Sequence, residues 1–287
     1  MKCLGADEFK DTQKPSVKSG FIELDKITHG WENGDLIVIA SRPVMGKTAF
    51  GISLLRNIAI KNKIPVAFFS LRMSVGQFMS RFVSTVSEIE NSKIFAYKKG
   101  DTMALNETEQ NKLNRAEKQI DIAPVFLDDT PYLDIEALQK KAIRLASDFQ
   151  IKLIVIDCLQ LMSIRGIRYD DMNEELAVIV RSLKTLAKNL NVPIIVFSYL
   201  KYDVDNSEKI DGKRPQLRDL RNDTIEQDAD VICFIHRPEY YRIFSDKKGN
   251  DLHGKAEIIV AKNRNGDTGE ILLKFNKECS SFDNLDE

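Results

Sequence analysis

Apolar residues gather in short unbroken runs along this chain: Leu36 to Ala40, Pro65 to Ser70, Ala123 to Leu127, Ile151 to Ile156, Pro193 to Ser198 and Ala229 to Ile235. Runs of this length, bounded by turn residues, predict strands buried on both faces. Stretches of helical spacing lie between them. Ser74 predicts a capped helix through about Val86, with Phe78, Phe82 and Val86 on one face. Asp134 to Phe149 places Leu138, Ala142 and Leu145 inward. Glu174 to Leu190 repeats Leu176, Ile179, Val180, Leu183, Leu186, Ala187 and Leu190. Residues 49–60 also read as helix, and the polar stretch 88–121 reads as helical. A short helix, Ile22 to Ile27, precedes Gly30 and Gly34, which punctuate the chain. Near the end, Ala256–Ala261 and Glu270–Phe275 predict a hairpin around Asn265-Gly266-Asp267-Thr268-Gly269. Strand and helix alternate, so the expected fold is α/β: a mainly parallel central sheet flanked by helices, with a C-terminal β-hairpin. Residues 1–16 read as a tail or linker remnant, and 17–287 as one domain.

Composition narrows this picture by exclusion. At 287 residues, 43% hydrophobic and 30% charged, the chain has the make-up of a globular protein. A net charge of −1 offers no bulk attraction to nucleic acid, so such binding would need local basic patches. No apolar run approaches the ~18 residues of a membrane span, and Met1 to Gln13 has no signal-peptide core. Four scattered cysteines and three unclustered histidines give no metal spacing, and a reduced cytoplasmic setting is expected.

Chemistry enters at residues 41–48, Ser-Arg-Pro-Val-Met-Gly-Lys-Thr, directly after the strand at Leu36–Ala40. A buried strand, a tight loop and a helix N-terminus form the setting of a phosphate-binding loop. Backbone N–H groups of Ser41, Arg42, Pro43, Val44, Met45, Gly46, Lys47, Thr48 and Ala49 (proline excepted) would wrap a polyphosphate. Lys47 would reach its terminal oxygens, and the Thr48 hydroxyl would hold Mg²⁺. Ser41 stands where the pattern has glycine, and the alternative is a structural turn. Asp157 ends the run Leu153-Ile154-Val155-Ile156. An acid there would either hold the same Mg²⁺ or cap the next segment. Turn chemistry accounts for Asp128 and Asp129.

Five segments carry a family resemblance: Ser19-Gly20-Phe21-Ile22-Glu23-Leu24-Asp25, the loop 41–48, Ile156-Asp157-Cys158-Leu159-Gln160-Leu161-Met162, Ile225-Glu226-Gln227-Asp228-Ala229-Asp230 and Ala261-Lys262-Asn263-Arg264-Asn265-Gly266. In this order, from about residue 17 to residue 284, the chain resembles the C-terminal motor domain of the DnaB family of replicative DNA helicases. The resemblance implies a RecA-like P-loop NTPase that binds ATP and Mg²⁺, assembles as a hexameric ring and translocates on single-stranded DNA. It implies as partners further copies of the chain, single-stranded DNA and replisome or helicase-loading proteins, with no membrane. The family's N-terminal domain is expected to lie outside this sequence.

Carried over position by position, Lys47 and Thr48 hold phosphate and Mg²⁺, and Asp157 holds the metal. Lys262 and Arg264 resemble the pair that reaches a neighbouring subunit's nucleotide, where a guanidinium neutralises charge on the transferred phosphoryl group. The reading from residues alone is a solvated hairpin charge. Two positions depart from the family. A glutamate that orients the attacking water, in a Ser-Leu-Glu-Met context, is replaced in Ser70-Leu71-Arg72-Met73. A guanidinium cannot accept a proton, so Arg72 favours holding triphosphate over cleaving it. A glutamine that senses the γ-phosphate, in a Ser-Gln-Leu context, is replaced in Ser198-Tyr199-Leu200.

DNA contact is expected from two loops. Lys201 to Thr224 carries Lys201, Lys209, Lys213, Arg214, Arg218 and Arg221; Ser163 to Asp171 carries Arg165 and Arg168 against Asp170 and Asp171. In the family a loop near the position of Arg221 touches the DNA backbone, commonly with Arg-Glu-Ser-Gly. Here the residues are Arg221-Asn222-Asp223-Thr224. The alternative is a solvated mixed-charge surface. Two functions stay open: a helicase motor with weakened hydrolysis, or a non-hydrolysing nucleotide- and DNA-binding subunit that assembles on DNA or on a functional helicase. A related RecA-like recombination or regulatory ATPase is a third reading, against which Asp157 to Met162 argues.

Overall fold

The computed structural model describes residues 16–166, 169, 171–201 and 214–285. Of the expected tail, residues 1–15 lie outside the described residues. Ser16–Val17 (β1) already pairs antiparallel with Trp31–Glu32 (β2), so Ser16 belongs to the domain rather than to the expected tail. Helix α1, Ile22–Thr28, runs between them.

The central sheet has nine strands among the described residues. In chain order they are β3 Leu36–Ser41, β4 Val66–Ser70, β5 Val125–Asp128, β6 Leu153–Asp157, β7 Ile194–Tyr199, β8 Val231–His236, β9 Lys255–Asn263, β10 Gly269–Asn276 and β11 Ser281–Asp283. Their spatial order is β11-β10-β9-β8-β3-β7-β6-β4-β5. From β5 to β8 neighbouring strands are parallel; β9, β10 and β11 add an antiparallel flank. The chain leaves β3 toward one side and returns later as β8 on its other side, which makes the carboxyl end of β3 the switch point where α/β sheets open a crevice.

Helices cover both faces: α2 Lys47–Leu55, extended by a π-helical turn at Arg56–Lys61, then α3 Val75–Ser87, α4 Asn91–Lys98, α5 Glu107–Asp121, α6 Ile135–Phe149, α7 Met172–Leu190 and α8 Asp223–Asp228. Side chains alternate across β3. Ile37 and Ile39 join one core with Phe50, Phe68 and Phe197, while Leu36, Val38 and Ala40 join another with Leu183 and Ile232. At Gly51 on α2 a Cβ would sit 2.8 Å from the Phe197 ring, so only glycine lets this helix lie so close to the sheet. Strand β11 pins the same helix. Ser53 Oγ accepts from Phe282 N at 2.9 Å, and Arg56 donates to Phe282 O at 2.9 Å and to Asp283 at 2.7 Å.

The expected strands are all present, with ends moved by one or two residues. Helix α2 starts at Lys47, inside the phosphate motif, rather than at residue 49. The polar stretch 88–121 is two helices, the second capped by Asn106 and Glu109 in a reciprocal capping box. Strand β11 and helix α8 are new elements, too short to show a hydrophobic period.

Candidate nucleotide site

The loop after β3 is shaped by backbone rather than by composition. Val44 has φ 65° and Gly46 φ 100°, and Gly46 then caps α2, with Phe50 N donating to Gly46 O at 2.8 Å. Glycine takes this conformation freely, whereas Val44 is strained by about 1–3 kcal/mol. Arg237, which follows β8, donates to Val44 O at 3.4 Å and lies 3.7 Å over the Phe275 ring. Ser41 needs no left-handed turn, because it is the last residue of β3 and fully buried. Its carbonyl and Oγ each accept from Lys47 Nζ at 3.1 Å. Serine in the first position is therefore a lysine anchor here. Arg42 turns to Tyr241, donating to its hydroxyl at 3.2 Å. Met45 and Ala49 are buried, while Pro43 and Val44 are exposed.

Strand register delivers the partners. Ser41 pairs with Tyr199 across β3 and β7, and Ser70 pairs with Asp157 across β4 and β6. Arg72, just past β4, thus reaches the same crevice, and its Nη1 donates to the Tyr199 hydroxyl oxygen. The Tyr199 ring lies 3.7 Å from Lys47 Nζ. Gln160 holds the end of β7, accepting from Tyr199 N at 3.1 Å and donating to Ser198 Oγ at 2.8 Å. Thr48 Oγ1 donates to Asp157 Oδ2 at 2.6 Å. The resulting cleft has a volume of about 650 Å³ and is bordered by Gly46, Lys47, Thr48, Arg72, Arg81 and Tyr199.

Burial dominates the electrostatics. It lowers the Lys47 ammonium to about 8, against the pull of Asp157, with Arg72 and Arg221 adding to the fall. Burial also raises Asp157, opposed by the Thr48 hydrogen bond and by Lys47, Arg72 and Arg81. Burial raises the Tyr199 phenol. The site thus gathers several cations around one buried acid, an arrangement suited to a polyanion. The Thr48 hydroxyl and Asp157 carboxylate are hard oxygen donors of the kind Mg²⁺ takes. Among the described residues no group of three or more His, Cys, Asp or Glu could hold a metal, so phosphate and water would supply the remaining ligands.

The other expected residues lie elsewhere. Lys262 and Arg264 stand at the amino ends of the parallel strands, since β8 pairs Val231 with Asn263 on one side and with Ile37 on the other. Strand rise separates them from Lys47 of the same chain by roughly 15 Å. Lys262 Nζ donates to the carbonyls of Glu226 and Ala229, and Arg264 to Gln227 O and, at 3.4 Å, to Asp230. Beyond β7, Lys201 N donates to Asp219 O at 2.8 Å, Lys201 Nζ to Arg218 O at 3.4 Å, and Arg221 Nε to Leu200 O at 3.3 Å. Lys201, Arg218 and Arg221 therefore share one surface, beside a second cleft lined by Arg42, Arg72, Tyr199, Lys201 and Arg221. Arg214 does not belong with them. It pairs with Glu257 at 3.0 Å and with Glu270, and so braces the β9–β10 hairpin. Lys209, Lys213, Arg168 and Asp170 lie outside the described residues. Sequence reasoning missed Arg81 on α3 and Arg237. A basic residue directly after β8 was a usable signal for Arg237, whereas Arg81 had none.

A glycine-capped phosphate loop at the switch point, with a buried acid at the end of a nearby parallel strand, defines a P-loop nucleotide-binding α/β protein. The chain belongs to the family of DnaB-like helicase C terminal domains, which matches residues 16–284. It is 40% identical over 268 residues to a probable replicative DNA helicase of Trieres chinensis, covering 93% of this chain and 56% of that protein. To the replicative DNA helicase DnaB of Geobacillus stearothermophilus it is 36% identical over 278 residues, covering 96% and 58%. The chain thus spans little more than half the length of these relatives. A solved ATPase domain superposes with a TM-score of 0.85 at 31% identity, covering 98% of this chain and 95% of that one. A DnaB-like replicative helicase, solved in a study of its interactions with primase, gives 0.84 at 31% identity, covering 98% and 66%. The fold is that of a DnaB-like RecA-type ATPase domain, as the sequence resemblance implied. Among the described residues no helix is long and apolar enough to cross a membrane.

Proposed function

We propose that this chain is a DnaB-type motor domain that binds ATP with Mg²⁺ and works on single-stranded DNA within a hexameric ring, with hydrolysis slowed by Arg72. The observation that carries this reading is the convergence of Lys47, Thr48, Arg72 and Tyr199 on one cleft, with Asp157 buried directly behind the Thr48 hydroxyl. Lys47 binds phosphate oxygens, and Thr48 and Asp157 hold Mg²⁺. When bound, the metal neutralises charge on the phosphate oxygens. In hydrolysis a water oxygen bonds to the γ-phosphorus, the bond to the bridging oxygen breaks, and the water's proton passes to a base or to solvent. Arg72 cannot take that proton, and the Tyr199 phenol is held protonated by burial. What remains is cationic stabilisation of bound triphosphate. Lys262 and Arg264, facing away from their own loop, are assigned to a neighbouring subunit's nucleotide. Lys201, Arg218 and Arg221 are assigned to DNA phosphates, giving binding that is salt-dependent and largely independent of sequence.

The contact between Arg72 and Tyr199 also favours a second reading, a nucleotide- and DNA-binding subunit that assembles without turning over. DNA-stimulated phosphate release by the native chain and by Arg72→Glu separates the two. A slow native rate that rises at least tenfold in Arg72→Glu supports the restrained motor, no release from either supports the non-hydrolysing subunit, and a native rate already as high as that of Arg72→Glu overturns the role of Arg72.

A further inference from the structure

The Tyr199 ring lies directly against the Lys47 ammonium. A P-loop lysine works by placing its ammonium on the β- and γ-phosphate oxygens, yet the Lys47 ammonium here has the Tyr199 ring 3.7 Å away and both Ser41 oxygens at 3.1 Å. The tyrosine is anchored at both ends. Its backbone is fixed by pairing with Ser41 and by Gln160, and its hydroxyl oxygen accepts from Arg72. The ring can still leave by rotating about its own side-chain bonds. It forms the wall between the phosphate cleft and a neighbouring cleft of about 560 Å³, lined by Arg42, Pro43, Gln160, Leu161, Lys201 and Arg221. That second cleft gives the ring somewhere to go.

We propose that Tyr199 is a built-in competitor for the third phosphate, so that it sets the preference between nucleoside tri- and diphosphates. This rests on the nucleotide reading of the cleft and goes beyond it. A diphosphate in the backbone cradle around Gly46 meets Lys47 through its β-phosphate alone and has no third phosphate to compete for the place the ring fills or for Arg72. A triphosphate must displace the ring from Lys47 and take Arg72 from its hydroxyl. The two cations then pass from the tyrosine to the γ-phosphate together, and Tyr199 turns into the cleft beside Lys201 and Arg221.

Calorimetric titration of a non-hydrolysable triphosphate analogue and of a diphosphate, each with Mg²⁺, tests this on the native chain, Tyr199→Ala, Tyr199→Phe and Lys47→Ala. Removing a cation–π partner from a partly desolvated ammonium should tighten the triphosphate analogue about tenfold in Tyr199→Ala and leave the diphosphate within about twofold. Tyr199→Phe, which keeps the ring and loses the Arg72 bond, should tighten it roughly threefold. Equal shifts for both nucleotides, or weaker triphosphate binding in Tyr199→Ala, would overturn the competitor role. Lys47→Ala keeps the two readings apart. If it abolishes binding of both nucleotides while the Tyr199 variants leave their ratio unchanged, only the competitor falls. If neither nucleotide binds the native chain or Tyr199→Ala, the nucleotide site falls and the competitor with it.

Discussion

At the amino ends of the parallel strands, Asp230 accepts from Leu36 N at 2.8 Å, from Lys184, and at 3.4 Å from Arg264. It ties β3, α7 and the end of β9 together with strong, mutually neutralising contacts. At the carboxyl ends, cations meet weaker partners: Lys47 a carbonyl, a hydroxyl and a ring, Arg72 a phenol, and Arg237 a carbonyl and a ring. Charges closed on opposite charges hold a fold, while cations held by neutral groups can be transferred to an incoming anion. The strained Val44 lies at the second end, where a ligand can use the geometry that strain preserves.

The largest contrast should come from removing the hub. Asp230→Ala leaves Lys184 and the Leu36 amide without their acid, and should cost about 3–5 kcal/mol in urea denaturation. Arg264→Ala, a half-exposed partner of the same acid, should cost less than ~1 kcal/mol. Similar losses for the two would break the comparison. At the other end, Lys47→Ala should cost about 3 kcal/mol of nucleotide affinity, roughly 100-fold, with little loss of stability.

The pH response sharpens the same division. Because the Lys47 ammonium is lowered to about 8 and phosphate binding needs it charged, affinity should fall about tenfold between pH 7 and pH 9, with proton uptake on binding above pH 8. Titration in buffers of different ionisation enthalpy reads both effects. An affinity flat to pH 9 would mean that Lys47 does not carry the binding. Among the structural charges, burial and the nearby Asp230 push Asp35 up from 3.8 to about 6. A raised folded-state value gives stability that is complete below the unfolded value and lost as pH rises through about 6. Asp35→Asn, whose side-chain oxygen can still accept from Glu32 N, should therefore be about 1–2 kcal/mol more stable than the native chain at pH 7.5 and lose the part of the pH dependence between 4 and 6 that Asp35 contributes.

Contiguous features were legible in the sequence. The phosphate loop, the capped helices and the buried strands each announce themselves within about ten residues. Asp157 stood out as an acid at a strand end, and Arg72 and Tyr199 as departures from a family pattern. Their contact was hidden, because it depends on β3-β7-β6-β4 being the spatial order of strands and on the registers Ser41–Tyr199 and Ser70–Asp157. Arg81 was hidden for the same reason, arriving from α3, whereas Arg237 carried a signal, a basic residue directly after a buried strand, that went unread. Arg214 misled, because a basic residue in a charged loop looks solvated until the hairpin acids Glu257 and Glu270 are placed beside it. Helix α8 and strand β11 were too brief to leave a period.

On the proposed reading this cleft captures a nucleoside triphosphate and holds it rather than cleaving it quickly. A single-turnover experiment tests that most directly: excess protein is mixed with γ-labelled ATP, Mg²⁺ and single-stranded DNA, and bound intact nucleotide is separated from released phosphate over time. The expected result is triphosphate bound through Lys47 and recovered largely uncleaved, with Arg72→Glu converting it to diphosphate at least tenfold faster. Prompt cleavage by the native chain, at the rate of Arg72→Glu, would mean that Arg72 does not restrain hydrolysis.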